Sequence, residues 1–354
     1  MQPIITDFGT LTLGGLSIPL RIYGYGLMLV LGFLLAVLLA QRRARRVGEN
    51  PEVLSRCGIL ALIGGIAGSR IAYVIQHWDT HFAREPNPLA AVLNISSGGL
   101  IYYGGVVLAT AMVLAYLRFK KLPVRRHLDI LAISMMVGLA FGRAGCLLNG
   151  CCYGARSDAR WALGMRFGMY SPPLLKLDGR ENPYSVGTES PSPVYAHQMD
   201  TGQVTPPAEL TDEHGWLIPP REFTPAQIAA AQRARSEPVQ PAQALSIVNA
   251  LLIAGLLAAF FRLRRREGQV FALMLLMYPV TRFVLESIRD DNHHDLWSGV
   301  LTHNQYTSVG MFLAGAAMMW ALTKLPASAG PAWPQRLAAE AAATNHRTKR
   351  SKKP

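Results

Sequence analysis

Residues 18–46 read IPLRIYGYGLMLVLGFLLAVLLAQRRARR. From Ile18 to Ala40 the one charge is Arg21, near the start, and the run then breaks into Gln41-Arg42-Arg43-Ala44-Arg45-Arg46. A helix rises about 1.5 Å per residue, so about 20 such residues cross the hydrocarbon core of a bilayer. A helix on the surface of a soluble protein would interpose polar residues at helical period, and this stretch does not. It reads as a membrane span with a basic rim.

Working outward, the pattern recurs. Cys57–Ile75, Leu100–Leu117, Leu128–Leu148, Ala244–Phe261, Val270–Ile288 and Tyr306–Leu325 are predominantly apolar and mostly long enough to span. The fold expected is an all-α polytopic membrane protein of about seven transmembrane helices. The basic residues set its orientation. Lys and Arg crowd the segments after the first, third and fifth runs, whereas residues 1–17 carry none and residues 77–96 only Arg84. By the positive-inside rule this predicts an outside N-terminus and a cytoplasmic C-terminus. The first run has no basic segment before it and reads as a retained helix. The excess of 35 Lys+Arg over 22 Asp+Glu is thereby explained without a nucleic-acid partner.

Four segments follow: helices 1–4 in residues 1–154, an extracytoplasmic insert in 155–240, helices 5–7 in 241–326, and a basic cytoplasmic tail in 327–354. The insert is polar and rich in proline, and its Pro-Pro pairs at 172–173, 206–207 and 219–220 argue against a sizeable core. Within it Thr224 is expected to cap a short helix beginning at Pro225. The tail, with its cations around Arg347 to Lys353, is expected to be disordered.

Charges inside the spans are the functional clue. An arginine at the centre of a membrane helix costs about 3 kcal/mol on insertion scales, so it faces a partner, water or a ligand. Arg282, Glu286 and Arg289 share one helix face, Arg143 lies within about one turn of the outer end of the fourth span, and Arg70 is inside the second. An ion-pair network that fixes helix register is one reading, and for Arg70 it stands level with a functional one. The arginines outnumber the carboxylates, and an arginine fork matches a phosphate, so a lipid phosphate is the other. Glycines surround Arg143, and Gly98, Gly99, Gly104 and Gly105 cluster at the mouth of the third span. They either let helices pack closely or let backbone line a cavity. Cys146, Cys151 and Cys152 lack the paired spacing and nearby histidine of a zinc site, which leaves packing or an extracytoplasmic disulfide as the expectation, with no metal.

These residues resemble the bacterial phosphatidylglycerol–prolipoprotein diacylglyceryl transferases. The resemblance rests on Gly142-Arg143-Ala144-Gly145-Cys146-Leu147-Leu148-Asn149-Gly150-Cys151 with Gly154 beyond it. It extends to Tyr25-Gly26-Leu27-Met28, Gly68-Ser69-Arg70, Arg282-Phe283-Val284-Leu285-Glu286-Ser287-Ile288-Arg289, and Gln305 with Ser308. It runs in order through all seven spans. Two positions depart from the family pattern. Tyr103 stands where a histidine usually precedes the paired glycines, and Gln240-Pro241-Ala242-Gln243 replaces His-Pro-x-Gln.

The resemblance implies a multi-pass enzyme of the bacterial cytoplasmic (inner) membrane. It would move the diacylglyceryl group of phosphatidylglycerol to the lipobox cysteine of preprolipoprotein signal peptides, releasing glycerol phosphate and using no cofactor. On that basis the catalytic candidates are Tyr103, Arg143, Arg282 and Glu286. Candidates for binding phosphatidylglycerol are Arg143, Arg282, Tyr25, Asn149, Gly154, Gly98, Gly99, Gly104, Gly105, Arg289 and Arg70. A relative that binds lipid without turnover and a carrier of an anionic solute are the alternatives.

Overall fold

The computed structural model describes residues 4–13, 16–83, 87–94, 99–157, 163–170, 191–289 and 301–325. Gly98 and the tail 327–354 lie outside them. Seven of the helices are long and apolar enough to cross a membrane: α1 (Gly24–Arg46), α2 (Pro51–Gln76), α4 (Tyr102–Phe119), α5 (Val124–Asn149), α8 (Ala242–Leu263), α9 (Gln269–Ser287) and α10 (His303–Thr323). The shorter α3 (Pro88–Leu93), α6 (Pro193–Asp200) and α7 (Pro225–Arg233) are connectors. Each of the seven apolar runs has become one helix, with ends within six residues of those read from hydropathy.

The first run departs most. Its helix starts at Gly24, because Ile4–Leu13 (β1) and Leu16–Tyr23 (β2) pair as an antiparallel hairpin, Leu11 opposite Ile18 and Thr12 opposite Ser17. Leu16, Ile18, Leu20 and Ile22 alternate with Ser17, Pro19, Arg21 and Tyr23, the period of a strand. A two-stranded ribbon has only edge strands, where Pro19 is tolerated.

The chain divides into two compact units. One comprises residues 36–134, 260–271 and 321–354. Here α2 and α4 pack so tightly that a Cβ on Gly104 would meet that of Ala72 and lie 2.5 Å from the Gly68 carbonyl, and one on Gly105 would meet Ser69 Oγ. Glycine at the mouth of the third span thus serves close helix approach. Buried charges brace the same unit. Arg126 donates to Glu49 at 2.6 Å and to Glu267, and Asp129 accepts from the backbone of Gly268 (2.8 Å) and Phe271 (3.0 Å), capping the start of α9.

Arg70 is also structural. Its guanidinium donates to the carbonyls of Ala91 (2.6 Å), Val92 (2.8 Å), Asn94 (2.9 Å) and Gly99 (3.1 Å), and it lies over the Tyr73 and Phe82 rings. Carbonyls left over at the end of α3 are satisfied in this way. Its partners here are backbone carbonyls and aromatic rings, where the sequence suggested an ion pair or a lipid phosphate.

The other unit holds residues 1–35, 135–259 and 272–320. Within it Asn249 of α8 donates to Thr281 of α9 at 2.9 Å, a polar clasp between spans. The insert has a core despite its proline pairs: Met169, Tyr170, Tyr195, Leu210, Phe223, Ile228 and Ala231 pack together. Proline prevents helix and sheet continuation, but it does not prevent side chains from burying one another. Helix α7 begins as expected, with Thr224 and Gln227 forming a reciprocal capping box and Pro225 in the first turn.

Candidate functional site

The signature segment lies at the end of α5. Gly150 there has φ +72°, and the Gly150 and Cys151 amides donate back to Leu147 (3.3 Å) and Cys146 (3.2 Å). This is a Schellman cap, which needs a residue able to adopt the left-handed conformation. The cap turns the chain across the helix end. Beyond it the Gly154 amide donates to the Gln240 carbonyl (3.0 Å) and Ala155 to Ile288 (2.7 Å). A Cβ at Gly154 would lie 2.7 Å from Gln240 Cβ, so glycine is what lets the signature loop slot between the lead into α8 and the end of α9. Gln243, fully buried, secures the same loop by donating to the Cys151 carbonyl at 2.8 Å. Asn149, the last residue of α5, hydrogen-bonds Cys151.

Glu286 is the centre of the charged group. It is 2% exposed and accepts from Arg282, from Asn304 Nδ2 at 2.6 Å and from Thr302 Oγ1 at 3.3 Å, with Arg289 Nη1 3.7 Å away. The one-face spacing of Arg282, Glu286 and Arg289 is therefore realised as an ion-paired cluster. Asn304 and Thr302 were not singled out from sequence, and their place beside the neighbouring Gln305 was the available signal. Gln305 accepts from the Thr302 amide at 2.9 Å and donates to Ser287, while Ser308 turns back to the Asn304 carbonyl.

Arg143 differs from the rest. It sits six residues before the end of α5, half-buried, with Arg289, Tyr278, Cys146 and Cys152 as its electrostatic neighbours. Among the described residues it has neither a hydrogen bond nor an ion pair. Tyr25, in the first turn of α1, is 41% exposed and reaches the same surroundings, since a Cβ on Gly145 would lie 2.9 Å from its ring. Arg143 thus lies within electrostatic reach of the Arg282–Glu286–Arg289 group. Beside it the Cys152 thiol is held well below its ordinary range by hydrogen bonds with Cys146 and Cys151, and further by Arg289 and Arg143.

The structure thus brings together Tyr25, Arg143, Asn149, Gly154, Arg282, Glu286 and Arg289. Tyr103, Gly99, Gly104, Gly105 and Arg70 belong to the other unit. Tyr103 there lies in the first turn of α4, edge-on to Tyr102, and Gly99 has φ +75° and presents its carbonyl to Arg70.

Seven helices long and apolar enough to cross a bilayer define a multi-pass membrane protein. The sequence profile of the prolipoprotein diacylglyceryl transferases matches residues 14–321, and the chain belongs to that family. Relatives carry the name phosphatidylglycerol–prolipoprotein diacylglyceryl transferase. That of Corynebacterium efficiens is 28% identical over 89% of this chain and 83% of its own length. That of Clostridium tetani is 26% identical over 84% and 91%. That of Rhodopirellula baltica reaches 36%, over 42% of this chain and 30% of its own.

Proposed function

We propose that this chain transfers the diacylglyceryl group of phosphatidylglycerol to the lipobox cysteine of a preprolipoprotein, the first step of lipoprotein maturation. The observation that carries the reading is Arg143: a half-buried guanidinium in a membrane helix with neither a hydrogen bond nor an ion pair among the described residues, beside the ion-paired Arg282, Glu286 and Arg289.

The chemistry is a substitution at carbon. The substrate sulfur forms a C–S bond to the glycerol carbon, and the C–O bond to phosphate breaks with its electron pair passing to oxygen. The thiol's proton is carried off by the released glycerol phosphate. Charge therefore concentrates on phosphate oxygens as the bond breaks, and fixed cations lower the barrier by meeting it there. Arg143 and Arg282 hold the phosphate, bidentate geometry suiting guanidinium better than ammonium. Glu286 positions Arg282 and Arg289 and keeps the cluster from excessive self-repulsion. Tyr25 hydrogen-bonds the headgroup or the incoming thiol, and Tyr103 takes the place of the family's histidine. Asn149 and Gly154 shape the loop beneath. Arg70, Gly104 and Gly105 act through packing.

The Lys/Arg asymmetry supports an outside N-terminus and a cytoplasmic C-terminus, which puts the reaction at the outer face of the bacterial cytoplasmic membrane. Membranes containing the protein should move label from phosphatidylglycerol to a lipobox peptide. Labelled lipid that binds without moving, or vesicle flux of an anionic solute without transfer, would refute the transferase reading.

A further inference from the structure

Spacing argues against a metal at Cys146, Cys151 and Cys152, but the cap at the end of α5 alters the argument. Cys146 is the last-turn residue whose carbonyl receives the Cys151 amide, so the chain folds back and sets Cys151 over Cys146, with its Sγ 3.8 Å from the Cys146 carbonyl. Cys152 follows with φ +60°, a conformation that L side chains adopt at a cost. The three sulfurs consequently lie within 4.8 Å of one another, Cys146 buried and the other two half-buried. The loop that carries them is pinned at Cys151 by Gln243, whose Oε1 is buried without a hydrogen-bond partner.

We propose that Cys146, Cys151 and Cys152 form a three-thiolate site for a soft, thiophilic cation, monovalent copper. Metal–thiolate bonds of about 2.3 Å place the sulfurs of a trigonal site about 4 Å apart, so these need to draw in by less than about 1 Å. A disulfide needs sulfurs at about 2.05 Å and would leave one of the three unused. Zinc prefers four ligands, and among the described residues no histidine or carboxylate joins the group, whereas thiolate-only sites suit Cu(I). Binding releases the protons that the thiols still carry to water and changes no oxidation state. An ion held there lies beside Arg143, so it also obstructs the phosphate position. That last consequence rests on the function proposed above; the site itself does not.

The test uses the full-length protein, reduced, in detergent without oxygen, titrated with Cu(I) held by the chromophoric chelator bicinchoninate. One equivalent should be withdrawn from the chelator. The Cys151→Ser and Cys152→Ser variants should each bind more than about 100-fold more weakly, beyond the range of changes that act only around a ligand. These half-buried positions decide the matter if Cys146→Ser fails to fold. No withdrawal by protein whose four thiols are reduced by alkylation count, or withdrawal undiminished in the Cys151→Ser/Cys152→Ser double variant, would overturn the site.

A second readout concerns transfer. Copper should inhibit the parent and a chelator restore it. The double variant should transfer at the parental rate and be spared beyond whatever inhibition arises from copper on the peptide's own thiol. Equal inhibition of parent and variant would remove the obstruction. Absence of transfer in metal-free parent membranes would count against the proposed function alone, since the chelator titration still decides the site.

Discussion

Replacing Arg143 with alanine should separate activity from stability. The guanidinium has no hydrogen bond or ion pair among the described residues, so its removal orphans nothing, and it lifts part of the insertion cost, which is about 3 kcal/mol at the centre of a span and less near its end. Thermal stability in detergent should be unchanged or higher. Transfer should collapse. Two charge-assisted hydrogen bonds to phosphate contribute about 1.5–3 kcal/mol each, together about 3–6 kcal/mol. At 1.36 kcal/mol per tenfold this is a loss of about 100- to 10,000-fold. Arg143→Lys should recover only part of it, because a point charge offers no fork. The assay is label transfer from phosphatidylglycerol to a lipobox peptide, read beside the melting curve of the same preparation. Transfer within about tenfold of the parent, or a melting temperature that falls as the activity does, would refute the reasoning.

Glu286→Ala should instead destabilise the protein by about 3–5 kcal/mol, since it removes the buried carboxylate that pairs with the half-buried Arg282, and an unchanged melting curve would show the cluster is solvated. Gly104→Leu should cost about 1–3 kcal/mol by forcing α2 from α4, whereas intact stability with lost transfer would return Gly104 to the lipid site. Tyr103→Phe should slow transfer by about 10- to 100-fold and Tyr103→His should remain active; full activity in the phenylalanine variant removes Tyr103 from the mechanism. Reporter fusions after Arg46, Arg126 and Arg266 should all read cytoplasm, and an external reading at any one overturns the orientation.

Hydropathy made the seven spans legible because a bilayer imposes a length and a composition that no local detail overrides. The same signal obscured β2: Ile18 to Tyr23 was absorbed into the first apolar run although its alternation is that of a strand. The partners of Glu286 were half legible. Arg282 and Arg289 lie on its own helix, where spacing is informative, whereas Asn304 and Thr302 reach it from the next span. Arg70 could not be resolved from its own surroundings, because its acceptors are backbone carbonyls that have no sequence signature. The thiol cluster was hidden for another reason. Spacing describes chain distance, and the Schellman cap replaces chain distance with a reversal.

The bonds of Arg70 bear on how the protein is made. Its acceptors lie 21 to 29 residues downstream, so they do not yet exist as structure when the second span leaves the ribosome. Until residues 91–99 have followed, that span carries an uncompensated cation into the translocon. The bonds that satisfy Arg70 can therefore form only after that segment has been made. Arg70→Leu would enter the bilayer more readily and then leave four carbonyls without their donor. The arginine trades ease of insertion for a defined end to the helix that follows.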